Sequence, residues 1–259
     1  MFAMGATSSI ADIREAAFSV ITLSKDDGEG LARTLASIAR QELQPLEVLL
    51  VRAGSSRGLA VDPRYRDVAD PGLGISAAFN AAIAAARGEW LLFLNGGDAF
   101  SAPGSLRSLD EACRASAAAD IVACRAHTET GGGIPWHAPR SFCDFLFLSH
   151  QASAFRRRLF DEGGGIGRYS PGFRVRMDLD WMARYLLRHG RRRIAWFDRF
   201  IVDYRLDGLS STSLAGFYAE EFKVLARSAR FLPALAGLLL RRLPERLLRE
   251  SWRRLRGGG

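Results

Sequence analysis

The sequence predicts an α/β fold: a mostly parallel sheet with helices covering both faces. Three observations lead there. Short apolar runs recur at residues 18–23 (FSVITL), 46–51 (LEVLLV) and 90–94 (WLLFL). Segments of helical periodicity separate them. The runs are continuously apolar, as strands buried on both faces must be, rather than alternating as half-exposed strands do.

Each element has its own signal. Residues 18–23 end in the turn-rich SKDDGEG, which closes a buried strand. Residues 30–41 set Leu31, Leu35 and Ile38 at helical spacing. The second strand, 46–51, ends in AGSSRG; a short polar strand follows near 65–68, then a turn at DPGLG. An alanine-rich helix spans 75–86, the third apolar strand 90–94, a helix 105–118, and 121–124 is strand-like. After Thr128 the pattern breaks at TETGGGIPWHAPR, and Gly163 to Gly165 make a second flexible point. Residues 177–189 (MDLDWMARYLLRH) return to helical spacing, with a basic last turn and Gly190 as stop. Ligands of such sheets lie at the carboxyl ends of the strands, so the loops beginning at Ser24, Arg52 and Asn95 are the candidates.

Composition narrows the class. At 259 residues, 48% hydrophobic and 25% charged, the chain is globular, neither disordered nor fibrous. The net charge of +8 is unevenly placed: residues 226–259 hold nine arginines and two acids, so the tail has +7 and the body about +1. A neutral body whose basic tail has no interleaved stacking aromatics argues against nucleic acid. Cys113, Cys124 and Cys143 are odd in number and form no CxxC, which suits a reducing cytoplasm better than disulfides or zinc. No signal peptide is expected, and the longest apolar stretch, 231–240, is about half a membrane span.

Three segments hold candidate chemistry. In WLLFLNGGDAF a strand ends in Asn95, two glycines and Asp98, where a carboxylate can hold a hard cation or simply close a tight turn. In MDLDW, Asp178 and Asp180 begin a helix, either as dipole-compensating acids or with one facing a cleft as a general base. Ser149-His150-Gln151 follows an aromatic stretch, where a histidine is more often structural than catalytic.

In order, these pieces resemble family 2 glycosyltransferases of the GT-A fold, in particular the bacterial exopolysaccharide and colanic-acid-type branch. The matching text is FSVITLSKDDGEGLARTLASIARQ, LEVLLVRAGSSRG, DPGLGISAAFNAAIAAARGEWLLFLNGGDAF, ADIVACRA, SHQASAFRRRLF, RMDLDWMARYL and DGLSST, over roughly residues 17–213. The resemblance implies donor contacts from Thr22, Ser24, Lys25, Arg52, Asn80, Asn95 and Gly97. It implies Mg²⁺ or Mn²⁺ on Asp98 against the donor diphosphate, Asp178 as general base, and His150 and Gln151 on the acceptor and diphosphate side. The implied reaction is inverting transfer of a hexose or N-acetylhexosamine from a nucleoside-diphosphate sugar to a glycan or lipid-linked acceptor in surface polysaccharide synthesis.

The sequence also departs from that family. Arg52 and Arg57 stand where the family has acids, Ala77 replaces another acid, and the first DxD position is uncharged. These substitutions motivate an alternative, a catalytically degenerate GT-A-like scaffold in a membrane glycan assembly. By sequence the chain divides into an N-terminal extension (1–16), a GT-A domain (17–213) and a basic amphipathic helical tail (214–259). The tail's arginines and leucines suit an anionic membrane surface, which places the protein in the cytoplasm, peripheral at the inner face of the cytoplasmic membrane.

Overall fold

The structure, a computed structural model, describes residues 16–128, 138–161, 166–205, 214–242 and 244. Residues 1–15 of the expected extension, the DGLSST segment and most of the tail beyond Arg242 lie outside them.

Among the described residues eight strands form one sheet: β1 (Ala16–Lys25), β2 (Pro45–Ala53), β3 (Arg66–Asp67), β4 (Trp90–Phe93), β5 (Ala99–Phe100), β6 (Ile121–Thr128), β7 (Ser153–Arg156) and β8 (Ile194–Tyr204). Their order is β3-β2-β1-β4-β7-β6-β8-β5. Parallel pairs join β1 to β2 and β4, β2 to β3, and β6 to β8. The sheet is therefore mostly parallel, as the apolar runs require. Antiparallel pairs set β7 between β4 and β6, and β5 against β8. Sequence periodicity missed these last three strands for separate reasons. β5 is two residues long and β7 four, while β8 has Asp198 and Arg199 in its middle, interrupting the apolar run.

The helices are α1 (Gly28–Ala39), α2 (Ile75–Ala85), α3 (Ser105–Ala115), α4 (Met177–His189), α5 (Leu214–Leu225) and α6 (Leu232–Gly237). Alternate residues of each central strand feed two separate cores. Val20, Leu50 and Leu92 face α1 and α3, whereas Ile21, Leu49, Leu91 and Phe93 face α2 and α4. Covering both faces removes about 1.5–3 kcal/mol worth of each large side chain from water, and explains why the strands read as unbroken apolar runs.

The chain after residue 213 joins this core. Val224, Leu225, Phe231, Ala234 and Leu238 are buried in the same cluster as α2 and α4. Two arginines of this region also neutralise buried acids. Arg227 pairs with Asp180, a fully buried residue of α4 that Ser170 Oγ (2.7 Å) and Arg184 Nε (3.2 Å) also reach. Arg242 meets buried Glu221 at 2.6 Å, an ion pair whose angles fall short of a hydrogen bond. Part of the basic charge after residue 226 is thus internal counter-charge.

Substituting Arg227→Ala leaves one oxygen of a buried carboxylate unpaired. Urea titration at neutral pH is expected to show a loss of about 1–3 kcal/mol. A variant as stable as the parent would mean that Asp180 is adequately held by Ser170 and Arg184 alone.

Candidate active site

The carboxyl ends of β1 and β4 meet at a densely bonded turn. Thr34, fully buried on α1, has its Oγ1 2.6 Å from the Asp98 carbonyl and accepts the Gly97 amide at 3.0 Å. Gly96 N donates to Leu23 O at 2.9 Å, and Gly97 N also approaches Gly30 O at 3.0 Å. Gly97 has φ +101°, a backbone conformation that glycine adopts without steric cost. After β1, Ser24 Oγ donates to the Asp27 carbonyl at 3.0 Å and lies 3.0 Å from Ser56 Oγ, which accepts the Asp27 amide. Asp27 caps α1 by accepting Gly30 N at 2.8 Å. Lys25 is exposed beside this loop.

Asp98 is 3% exposed, and its Oδ1 accepts the backbone amide of Arg205 at 3.0 Å. Burial pushes its carboxyl up to about 7, against the opposing pull of that amide. Asn95 Oδ1 and Thr22 Oγ1, also at this end of the sheet, are buried without a hydrogen-bond partner.

A second group of residues sits behind the turn. The His150 ring stacks on Phe93 of β4, with centroids 4.5 Å apart and planes 17° from parallel. His150 Nε2 shares a hydrogen bond of 2.7 Å with the Tyr169 hydroxyl. Asn80 of α2 clasps the Tyr169 backbone, donating to its carbonyl and accepting its amide, both at 2.9 Å. His150, Tyr169 and Asp178 line a small cavity with Phe155, Trp181 and Met182, of about 10 Å³, enough for about one water molecule. Asp178 stands in the first turn of α4, half-buried, and its Oδ1 accepts the Leu179 amide at 2.8 Å. The two acids of MDLDW are thereby separated: Asp180 turns inward to its arginines, and Asp178 turns to the cavity. Gln151 follows His150 and is half-buried.

The loop after β2 is organised by Arg52. Its Nε and Nη2 grip Asp67 at 2.7 and 2.6 Å, and Nη1 donates to Leu59 O at 2.6 Å. Arg57 Nε donates to the Arg52 carbonyl. Arg52 therefore braces β2 against β3 and the loop between them. Asn80 likewise spends its amide on Tyr169. Tyr169, Thr34, Asp27 and Arg205 were not among the sequence candidates. Asp27 had a local signal, an acid just before a helix. The other three lack one, because their partners are 19 to 107 residues away.

The implied divalent cation can be tested against these side chains. Among the described residues no three His, Cys, Asp or Glu side chains gather into a metal-binding group. The strand-end turn offers one buried carboxylate, already bonded through Oδ1, and one amide oxygen, Asn95 Oδ1. The Arg205 guanidinium stands in the same place, 2.9 Å from Asp27 Oδ2. A hard cation of the Mg²⁺ type can take waters and diphosphate oxygens beside one or two carboxylates, and at this turn Asp98 and the unpartnered Asn95 Oδ1 are the groups that could face it. Among the described residues there is no all-protein cage for a divalent ion.

The profile of glycosyl transferase family 2 matches residues 19–181, well over half the chain and a span that includes Asp98, His150 and Asp178. The chain belongs to glycosyl transferase family 2. Its GT-A fold is shared with solved structures at low identity. The S. aureus TarS 1-349 complex with UDP-GlcNAc is 17% identical with TM-score 0.62, covering 86% of this chain and 71% of that one. The mannosyltransferase PcManGT of Pyrobaculum calidifontis, with GDP-Man and Mn²⁺, is 16% identical with TM-score 0.58, covering 87% and 70%. Glucosyl-3-phosphoglycerate synthase of Mycobacterium tuberculosis, with Mn²⁺, UDP and phosphoglyceric acid, is 16% identical with TM-score 0.58, covering 81% and 80%. In another S. aureus TarS structure the matched part is only 39% of that chain. No curated protein sequence matches significantly.

Burial pushes the His150 imidazole down to about 4, against the weaker upward pull of Asp178. The unfolded chain takes up that proton near pH 6.5, whereas the folded one does so only near 4. Stability therefore falls as pH drops through this window, by on the order of 3 kcal/mol. His150→Gln removes the titration, so urea titrations at about pH 7 and about pH 4.5 should show a visibly shallower pH dependence. An identical slope in the variant would assign acid sensitivity to other groups.

Proposed function

We propose that this chain is an inverting glycosyltransferase that moves a sugar from a nucleoside-diphosphate sugar to a hydroxyl of a glycan or lipid-linked acceptor, in bacterial surface polysaccharide synthesis. The observation that supports it most is the placement of Asp178. Among the residues lining the small cavity it is the acid, and the cavity is joined to the end of β4 through the His150–Phe93 stack. Family membership supplies the donor class. The UDP-GlcNAc and GDP-Man in the structurally similar proteins are donors of that class.

The chemistry follows from this geometry. The Asp178 carboxylate takes the proton of the acceptor hydroxyl as that oxygen bonds to the anomeric carbon. The bond from the same carbon to the diphosphate oxygen breaks, and its electron pair leaves with the diphosphate. Attack opposite the leaving group inverts the configuration. His150, kept neutral by burial, and Tyr169 form the polar wall beside the base, and Phe155, Trp181 and Met182 form the apolar one.

Asp178→Asn keeps the shape and removes the base. With a panel of UDP-, GDP- and dTDP-sugars, donor hydrolysis or transfer is expected to fall about 10²–10⁴-fold, while UDP or GDP binding stays within about twofold. Undiminished turnover would remove Asp178 from the mechanism. A protein that neither binds nor turns over any donor would favour the scaffold reading motivated by Arg52, Arg57 and Ala77.

The site of action in this reading is the inner face of the cytoplasmic membrane. Among the described residues no helix is long and apolar enough to cross a membrane. Support for a peripheral location comes from Leu232, Leu239 and Leu240, which are exposed near the basic residues that follow. Phe231 and Leu238 belong to the core, so a clean test truncates after Arg242 instead of before α6. Loss of residues 243–259 removes five arginines and two acids. It is expected to abolish salt-sensitive co-sedimentation with anionic vesicles while nucleotide binding persists. Unchanged co-sedimentation would refute the tail as the anchor.

A further inference from the structure

Arg158 and Arg193 share one buried carboxylate at the end of the sheet remote from the candidate active site. The strand order brings them there. β6 lies between β7 and β8, with Ile121 of β6 level with Phe155 of β7 and with Ile194 of β8. Asp120, just before β6, therefore has the segment after β7 on one side and the segment before β8 on the other. Trp90, which starts β4, is level with Arg156, so this end is opposite to the one where Asn95 and Asp98 follow β4. Asp120 is 3% exposed. Its Oδ1 is 2.6 Å from Arg158 Nη2, its Oδ2 is 2.9 Å from Arg193 Nε, and the Tyr185 hydroxyl reaches Oδ2 at 3.3 Å. Two arginines on one acid leave a positive charge uncompensated. Each gives a single nitrogen to Asp120, and their side chains are 55% and 51% exposed. Neither guanidinium has another partner among the described residues. The neighbours do not supply the missing charge: Arg156, Arg157, Arg191 and Arg192 stand at the same end against Glu89 and Asp161, and Glu89 is taken by Arg156. Burial first, and then the charges of Arg158 and Arg193, lower the pKa of Arg156, so the three guanidiniums are within electrostatic reach of one another.

We propose that Arg158 and Arg193, held together by Asp120, form a binding site for a phosphate monoester at the end of the sheet opposite the candidate active site. The inference is independent of the glycosyltransferase reading. A guanidinium presents five N–H donors in a planar fork that matches phosphate oxygens, and Asp120 occupies one nitrogen of each fork. Being held at that point, each fork loses less freedom when it meets a second anion. A phosphate monoester has three terminal oxygens and a charge of about −1.5 to −2 at neutral pH, so it can accept from both forks and offset the excess charge. Asp120 keeps the two cations together against their mutual repulsion and is itself too deeply placed to compete for the ligand's position. Soluble phosphate compounds and phosphomonoester lipid headgroups present the same group, and the half-exposed forks are open to either.

The test is calorimetric titration of the full chain with inorganic phosphate at constant ionic strength. Binding is expected to weaken about tenfold or more in Arg158→Gln and in Arg193→Gln. It should be unchanged in Arg114→Gln, whose arginine pairs with Asp110 on α3. Melting temperatures report whether each variant is folded. A second measurement needs no variant: inorganic phosphate should slow modification of Arg158 and Arg193 by phenylglyoxal, read by mass spectrometry, by about threefold or more relative to Arg114. Co-sedimentation identifies the source. Stronger binding to phosphatidic acid vesicles than to phosphatidylglycerol vesicles of matched surface charge, lost in Arg158→Gln, assigns a lipid headgroup; phosphate binding without that excess assigns a soluble compound. Both outcomes support the site. Absence of phosphate binding, equal binding by the folded Arg158→Gln and Arg193→Gln proteins, or unprotected arginines at 158 and 193 overturns it and leaves the glycosyltransferase reading intact.

Discussion

Thr34 stands at the junction of the first helix with the sheet, fully buried, its hydroxyl 2.6 Å from the carbonyl of Asp98 and accepting the amide of Gly97. A hydroxyl has one proton and two lone pairs, and here both capacities serve the same four-residue turn. That arrangement fixes the level at which β4 ends relative to α1. The same turn has the positive φ of Gly97 and the inward carboxylate of Asp98. Without the hydroxyl, the Gly97 amide would depend on the Gly30 carbonyl alone, and the Asp98 carbonyl would lose its tie to the helix.

Charge is distributed by a consistent rule. Two buried acids have paired arginine partners: Asp180 has Arg184 of its own helix and the distant Arg227, and Asp120 has the distant Arg158 and Arg193. Such pairs contribute modestly to stability, because desolvation offsets most of their attraction, but leaving one partner alone is expensive. They therefore specify which segment docks where. The arginine-rich composition that first suggests a polyanion partner is partly consumed in this way.

The two halves of the site are joined through aromatic packing. Phe93 forms the end of β4 and the centre of a cluster with Phe79, His150, Phe155, Phe160 and Tyr169. Such rings are large, rigid and densely packed, so a cavity among them keeps its shape. Asp178 is held against this wall by the start of α4, and the strand-end turn lies on the other side of Phe93. In the proposed reaction, the separation of Asp178 from the strand-end turn is set by this packed part of the core rather than by a loop.

By itself the sequence determined the parallel core of the sheet, the helices at 28–39, 75–85, 105–115 and 177–189 to within a few residues, and the segments around Asp98, His150 and Asp178. It could do so because hydrophobic periodicity and strand-end punctuation are local properties of a chain. Only the tertiary structure decided which acid of MDLDW faces a cavity, that Arg52 and Asn80 spend their side chains on Asp67 and Tyr169, and that Phe231 and Leu238 belong to the core. It alone brought Arg205 to Asp27 and Asp98, 178 and 107 residues away. The reason is physical: hydrogen bonds and ion pairs leave no periodic trace in the chain, and their partners are chosen by the packing of elements that the sequence specifies one at a time.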